Sequence, residues 1–274
     1  MNMKAFGSST AYEKETGIEL RHRHSAAPSI ASTDTAVSKT APCAFNPSRS
    51  LFINAHGIRL VRLPLPSSEL EITIHDADGS IAYISSREKR CSGDATLSSL
   101  KTGAPLLKTS YFFGPNRDPI IRPLVAATAK DIETENGGVG APKIRVSGKW
   151  NSRSQYFTTP GGGEFRWRYV RCDDPLRWGC KTLLVLERLE DGKSGMAGGR
   201  RVAQLVRNER TRPEGTSRST AGNGGELMVD GGVMGAEIDE ALVVATCLLM
   251  LKKEIDRRRV VQMMVLGAMA SGGP

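Results

Sequence analysis

The sequence feature that most constrains the fold is an apolar run near the C-terminus, residues 241–251, which reads ALVVATCLLML. Acidic residues, including Glu237 and Glu240, precede the run, and a mostly basic segment, residues 252–259, follows it. This order of charge matches the helix macrodipole, so we predict a helix over residues 236–259. Because the run is apolar on every side, the helix must be buried on every side.

The chain upstream of this helix shows the pattern of short β-strands. Residues 70–75 alternate apolar and polar side chains, and an Asp-rich turn at residues 76–79 leads into a second alternating segment, which predicts a β-hairpin. Three segments rich in Gly, Ser and charge are interpreted as long surface loops: residues 126–142, 191–199 and 208–225. Further strands are predicted at residues 51–53, 58–63, 106–113, 143–150, 155–159, 164–170, 181–188, 200–207 and 226–229.

Many strands in series without interleaved helices exclude a doubly wound α/β fold. Closing the strands into a barrel removes their exposed edges, and the apolar helix is the obvious filler for its interior. We therefore predict a mainly β protein of the α+β class, a closed antiparallel β-barrel around a central hydrophobic C-terminal helix. The predicted organisation is a disordered tail at residues 1–48, the barrel at residues 49–259 and a C-terminal extension at residues 260–274.

Charge and cysteine usage narrow the possible partners and compartments. The chain has 38 Lys and Arg against 29 Asp and Glu, a net charge of +9, which favours anionic partners such as a membrane surface or nucleic acid. A solvated basic exterior is the alternative, because the excess is spread along the chain. Five cysteines without zinc-site spacing indicate reduced thiols, and no secretory signal is visible. These features predict a cytoplasmic, peripheral membrane or nuclear protein without a transmembrane span.

No motif of the sequence predicts catalysis, a cofactor or a metal site. Outside the tail the imidazoles are His56 and His75, and no nucleophile elbow accompanies them. The Gly-Lys-Ser of residues 192–194 resembles the end of a phosphate-binding loop, but Glu187 stands where that loop needs glycine. The Asp-x-Asp of residues 76–78 lacks the later Gly and Glu of a calcium loop. We therefore expect a protein that is not an enzyme.

Arginines on the polar faces of the predicted strands are the candidates for an anionic-ligand surface, because the guanidinium group presents a planar fork of donors to phosphate. The alternative is that they solvate the outside of the barrel while their stems cover apolar surface. The aromatic residues 165, 167 and 169 share one face of a strand and are interpreted as barrel core, and Cys247 as a buried apolar residue. The candidates are Arg59, Arg62, Arg166, Arg168, Arg171, Arg200, Arg201 and Arg207.

Several short motifs resemble the tubby C-terminal-like group, especially its fungal members, which is related to LURP-one-related proteins and phospholipid scramblases. They are Arg-Cys-Ser-Gly at residues 90–93, Phe-Arg-Trp-Arg at 165–168, Val-Ala-Gln at 202–204 and the segment IDEALVVATCLLM at 238–250. The resemblance covers residues 51–259. It implies a β-barrel of about twelve strands closed around a C-terminal helix. It also implies binding of phosphoinositide headgroups by basic barrel residues.

The expected function is a non-enzymatic binding module for phosphoinositide or other anionic lipid headgroups at a membrane surface. A structural or adaptor protein that engages a protein partner through the barrel is the first alternative. A basic nucleic-acid binder is the second, and it is disfavoured because aromatic residues make up only 5% of the chain.

Overall fold

The computed structural model describes residues 45–59, 69–89, 92–114, 117–124, 142–149, 152–189, 199–235 and 237–271. Several predicted features lie outside these residues: the tail up to residue 44, the candidate Arg62, the Gly-Lys-Ser of residues 192–194 and residues 272–274. The elements are β1 Pro47–Ile53, β2 Glu71–Asp76, β3 Ile81–Ser86, β4 Ala95–Ser99, β5 Pro105–Ser110, β6 Ile120–Pro123, β7 Ile144–Arg145, β8 Gln155–Thr158, β9 Glu164–Arg171, α1 Pro175–Trp178, β10 Thr182–Leu189, β11 Arg200–Val206, β12 Gly225–Asp230 and α2 Glu240–Ser271.

The twelve strands form one antiparallel sheet in the order β7-β6-β5-β4-β3-β2-β1-β12-β11-β10-β9-β8. Nearly every strand pairs with its neighbour in sequence, and the pairing of β1 with β12 joins the two halves of the chain. The two ends of the sheet meet where Ser147 and Tyr156 exchange backbone hydrogen bonds of 2.8 and 2.7 Å. The sheet is therefore a nearly closed barrel, and the predicted mainly β architecture is confirmed.

Alternation along the strands places one set of side chains inside the barrel. In β9, Phe165 and Trp167 are fully buried in the core, and the ring of Phe157 in β8 stacks on Phe165 with centroids 5.5 Å apart. Tyr169 is partly buried against the same core. The prediction that this aromatic face belongs to the core is confirmed.

The first part of α2 fills the barrel, as the apolar run predicted. Every side chain from Ala241 to Leu251 is buried. All of them except the polar Thr246 belong to the hydrophobic core. Thr246 is satisfied locally, because its Oγ1 donates to the carbonyl of Leu242 and accepts a 3.0 Å bond from the indole of Trp167. Cys247 is fully buried, as predicted, and this burial raises the pKa of its thiol to about 12.

The predicted helix bounds are wrong at both ends. The helix begins at Glu240, not residue 236, and continues to Ser271, whereas the sequence analysis ended it at residue 259. The extension past residue 259 has a physical cause, since this segment contains no proline and is rich in Met, Val, Leu and Ala. Over the described part of the chain, no helix combines the length and the apolar character that crossing a membrane requires.

The prediction of a surface loop at residues 208–225 is wrong for its last part. Residues 220–224 are buried, because Ala221 packs with Ile58 and Ile255 against α2. Gly222 permits this approach: its φ is 73°, and a Cβ at this position would lie 2.4 Å from Cγ1 of Ile255. This loop therefore folds beneath the last buried turn of α2.

A pair of identical substitutions on α2 tests the buried helix. Leu249 is 3% exposed and Leu266 is 41% exposed. We expect Leu249→Ala to lower the free energy of unfolding by about 2–5 kcal/mol, since it leaves a cavity in the core. Leu266→Ala is expected to change it by less than about 0.5 kcal/mol. Urea unfolding measures both, and equal effects of the two substitutions would contradict the placement of α2.

Candidate anionic-ligand site

A concave site lies at the end of the barrel where α2 leaves it, which we call the exit end. The site, which we call the exit cleft, has a volume of about 810 Å³ and is lined by seven cationic side chains and one carboxylate, Glu254. Strand ends, the loop between β11 and β12, and α2 all contribute to it, because the ends of alternate antiparallel strands meet at one end of a barrel. The cationic side chains are Arg153, Lys181, Arg207, Arg212, Arg218, Arg257 and Arg258.

The base of the exit cleft is a largely buried ion pair between Arg207, directly after β11, and Glu254 of α2, whose side chains are 16% and 15% exposed. Arg207 donates from both terminal nitrogens to Glu254, over 2.8 and 3.0 Å. Glu254 also accepts from the hydroxyl of Tyr169 and, over 2.8 Å, from the backbone nitrogen of Gly222. Burial alone would raise the pKa of Glu254, but the attraction of Arg207 outweighs burial and the pKa is lowered. The pair is thus fully satisfied and fixes α2 to the barrel wall.

Other guanidinium donors of the exit cleft have no such partner. Nη1 of Arg258 is buried, and so are Nε and Nη1 of Arg212, and none of these three has a hydrogen-bond partner among the described residues. Only Nη2 of Arg212 is paired, 2.7 Å from the exposed carboxylate of Glu209. Each buried donor left without a partner costs about 1–3 kcal/mol.

The remaining cations complete a basic rim. Arg153 stacks 5.9 Å from the ring centre of Tyr169, and Arg257 donates to the carbonyl of Ser152 over 3.1 Å. Lys181 and Arg218 are exposed. Positive charge held on a concave surface concentrates the electrostatic field and attracts multiply charged anions.

A smaller cavity of about 290 Å³ shares Arg257 with the exit cleft. It contains Lys253, whose ammonium group donates to the side-chain oxygen of Gln155. Burial lowers the pKa of Lys253 to about 8, and nearby Asp118 opposes this effect only partly. Among the described residues, no group of three or more His, Cys, Asp or Glu is placed to hold a metal ion.

Seven of the eight arginines predicted from the sequence are among the described residues, and these seven do not form one surface. Arg207 lines the exit cleft, and Arg59 lies beside it, where its Nη2 donates to the carbonyl of Gly215 in the β11–β12 loop. Arg171 is exposed at the end of β9. Arg200 lies at the opposite end of the barrel, 3.5 Å from Asp230.

Three of the predicted arginines lie together on the outer wall of the barrel. Arg166 and Arg168 contact the carboxylate of Glu187 at 2.8 and 2.6 Å, and Glu187 is buried beneath them. Burial would raise the pKa of Glu187, but the two guanidinium groups lower it. Arg201 on the adjacent strand donates to Gln204 and stacks over Phe45. In this cluster one carboxylate pairs with two of the three arginines, whereas in the exit cleft the carboxylate of Glu254 pairs with one of seven cations.

Sequence reasoning missed most of the exit cleft, because its cations come from distant segments: residues 153, 181, 207–218 and 257–258. One signal was present. A helix that is buried over residues 241–251 and then turns basic must leave the core there, so its arginines must reach the rim of the barrel. The sequence analysis assigned these charges to the helix dipole alone.

Comparison with known proteins found no match to this chain among protein-family models, curated proteins or solved structures. The resemblance to the tubby C-terminal-like group therefore stays a prediction.

The buried ion pair at the base of the cleft makes a stability prediction. Glu254→Gln leaves Arg207 buried without its counter-charge, and we expect a loss of about 3–5 kcal/mol in the free energy of unfolding. Glu237→Gln is the matched control, because the Arg188–Glu237 pair is more exposed, at 40% and 25% of the two side chains, and its removal should cost less than about 1 kcal/mol. Urea unfolding at pH 7 measures both variants.

The same pair predicts how stability depends on pH. The pKa of Glu254 is lower in the folded chain than its unfolded value of about 4.5. The contribution of this carboxylate is therefore fully present above pH 4.5 and is lost as the pH falls through the folded pKa. Glu254→Gln should flatten the acid side of the stability profile. If the free energy of unfolding falls with acid in the same way in the variant and in the unsubstituted chain, Glu254 does not make this contribution.

Proposed function

We propose that the exit cleft binds a phosphate-bearing headgroup of an anionic membrane lipid, and that the protein is a non-enzymatic membrane-binding module. The observation that carries the proposal is the charge imbalance of the cleft: seven cations meet one lining carboxylate, which Arg207 already engages, and one exposed carboxylate, Glu209, which pairs with Arg212 and Arg218. The buried donors of Arg212 and Arg258 lack partners in the described structure. Guanidinium groups bind phosphate through charge-assisted, often bidentate, hydrogen bonds.

The size of the cleft supports a small, highly charged ligand. Its volume of about 810 Å³ falls within the range of about 300–1,000 Å³ that is usual for small-molecule sites. An inositol ring with two or three phosphates fits such a volume and offers acceptors to several of the cations. A single inorganic phosphate would leave most of the cations without a contact.

The family proposal points in the same direction. A tubby C-terminal-like protein is expected to have a barrel closed around a C-terminal helix and to bind phosphoinositides. The barrel around α2 supports this proposal at the level of architecture. Anionic lipids of this kind are concentrated in the cytoplasmic leaflet, so we propose a peripheral position on that surface.

A nucleic-acid partner is less well supported by the same site. Single strands need an extended basic groove with aromatic side chains on which successive bases stack. The cations here converge on one concave site, and the aromatic residue that lines it, Tyr169, is held by Glu254. A headgroup therefore fits the arrangement better than a continuous polymer.

Charge reversal at the exposed rim tests the proposed ligand. Lys181→Glu combined with Arg218→Glu removes two cations that make no buried structural contact. We expect the affinity for phosphatidylcholine vesicles that contain a phosphatidylinositol bisphosphate to fall at least about tenfold. The reason is that each basic residue near the membrane surface contributes about 1 kcal/mol to binding. Soluble inositol trisphosphate, followed by calorimetry, should show a loss in the same direction.

Lys101→Glu with Lys108→Glu is the charge-matched control, because both lysines are exposed and neither lines the cleft. The control should bind as the unsubstituted chain does. If the control loses as much affinity as the rim variant, the binding is non-specific. A double variant with Arg166→Gln and Arg168→Gln tests the outer wall. If this variant folds but loses vesicle binding while the rim variant keeps it, the site lies on the outer wall. Preference for duplex DNA over vesicles at equal ionic strength would favour the nucleic-acid alternative.

A further inference from the structure

The part of α2 that extends beyond the barrel exposes an unusual number of large apolar side chains. After Arg259, the last charged residue of the helix, six of them are 41–73% exposed, with Met264 at 67% and Met269 at 73%. Exposed apolar patches of this kind mark an interaction surface. The six are Val261, Met263, Met264, Val265, Leu266 and Met269.

These side chains surround the helix and do not form a stripe. At about 100° per residue, the consecutive residues Met263, Met264 and Val265 point in directions about 100° apart, so exposed apolar side chains occur all around the helix. A helix that docks in a protein groove presents a one-sided apolar face at spacings of three and four residues. A helix that is apolar all round suits a medium that contacts every side, such as hydrocarbon.

The position of this helix end selects the same medium. Val261 lines the exit cleft about one helical turn after the cations Arg257 and Arg258, and Gln262 contacts the backbone oxygen of Arg59 beside the cleft. Basic side chains are thus followed along the helix by apolar ones. This is the order that anionic headgroups and acyl chains present at a bilayer surface.

A second apolar feature lies at the same end of the barrel. Phe112 and Phe113 follow β5 and are both more than half exposed. The adjacent Tyr111 ties this segment to the exit end, because its hydroxyl donates to Asp256 of α2 over 2.6 Å. Exposed aromatic side chains beside a cationic rim fit the interfacial region of a bilayer.

We propose that the apolar end of α2, residues 260–271, inserts into the bilayer when the exit cleft holds an anionic headgroup. This inference rests on the proposed function of the cleft. Twelve helical residues reach about 18 Å, close to half of the roughly 30 Å hydrocarbon thickness. The helix end therefore enters one leaflet, and the barrel stands on the membrane by its exit end.

Fluorescence quenching tests the insertion directly. Met264→Trp places an indole within the apolar end, and Leu100→Trp places one on the exposed turn after β4, at the opposite end of the barrel. With phosphoinositide vesicles whose acyl chains are brominated, the Met264→Trp variant should show quenching and a blue shift above the signal of the unsubstituted chain. The Leu100→Trp variant should show neither. Vesicle-bound Met264→Trp protein without this quenching would overturn the proposal.

A second variant separates insertion from headgroup binding. Substitution of Met263, Met264 and Leu266 by serine should lower vesicle affinity at least about tenfold, because their apolar area can no longer enter hydrocarbon. Binding of soluble inositol trisphosphate should not change. Unchanged vesicle affinity overturns the insertion while the cleft proposal stands. Failure of the unsubstituted chain to bind either probe overturns the proposed function itself.

The other possible occupants of the apolar end give different results. If a second copy of the chain covers it, the unsubstituted protein is a dimer and the serine variant a monomer, with equal vesicle affinities. If residues 1–44 cover the apolar end, the protein is a monomer and the indole emission of the Met264→Trp variant is blue-shifted even without vesicles. Adding vesicles then does not change that emission. Either result overturns the inserted helix.

Discussion

The contact between the apolar part of α2 and the inner wall of the barrel determines the arrangement of everything else. Strand alternation directs large side chains such as Trp167 inward, and the space between opposite walls is filled by Ala241 to Leu251. A helix confined in this way has one direction of exit, so the charged residues that follow it meet the strand ends at a single rim. The buried pair of Glu254 with Arg207 fixes that meeting point and brings the β11–β12 loop beneath the helix.

Position in the barrel decides which basic residues are available to a ligand. On the outer wall, Arg166 and Arg168 share the buried carboxylate of Glu187, which fixes their geometry and neutralises part of their charge. At the exit end, seven cations line the cleft, and the carboxylates paired with them are Glu254, which pairs with Arg207, and Glu209, which pairs with Arg212 and Arg218. The net charge of +9 is spread along the sequence, but the fold concentrates part of it in one concave place.

The elements with strong local periodicity were predictable from the sequence. The alternation in β2 and β9 and the apolar run of α2 identify the barrel and its filler, because burial imposes the period of each element. The cleft was not predictable, because an arginine on a strand face gives no sign of its partner: the contacts of Arg166 and Arg168 with Glu187 cross 21 and 19 residues of sequence. The fold of the β11–β12 loop depends equally on distant contacts, such as Gly222 with Ile255.

Hydrogen–deuterium exchange of the full chain, with and without vesicles that contain a phosphatidylinositol bisphosphate, tests the central claim most directly. If the exit end is the membrane-binding surface, exchange slows in the β11–β12 loop and in α2 beyond Arg257, while the strands of the outer wall around Glu187 do not change. Slower exchange confined to β9 and β10, with no change at the end of α2, would contradict the account.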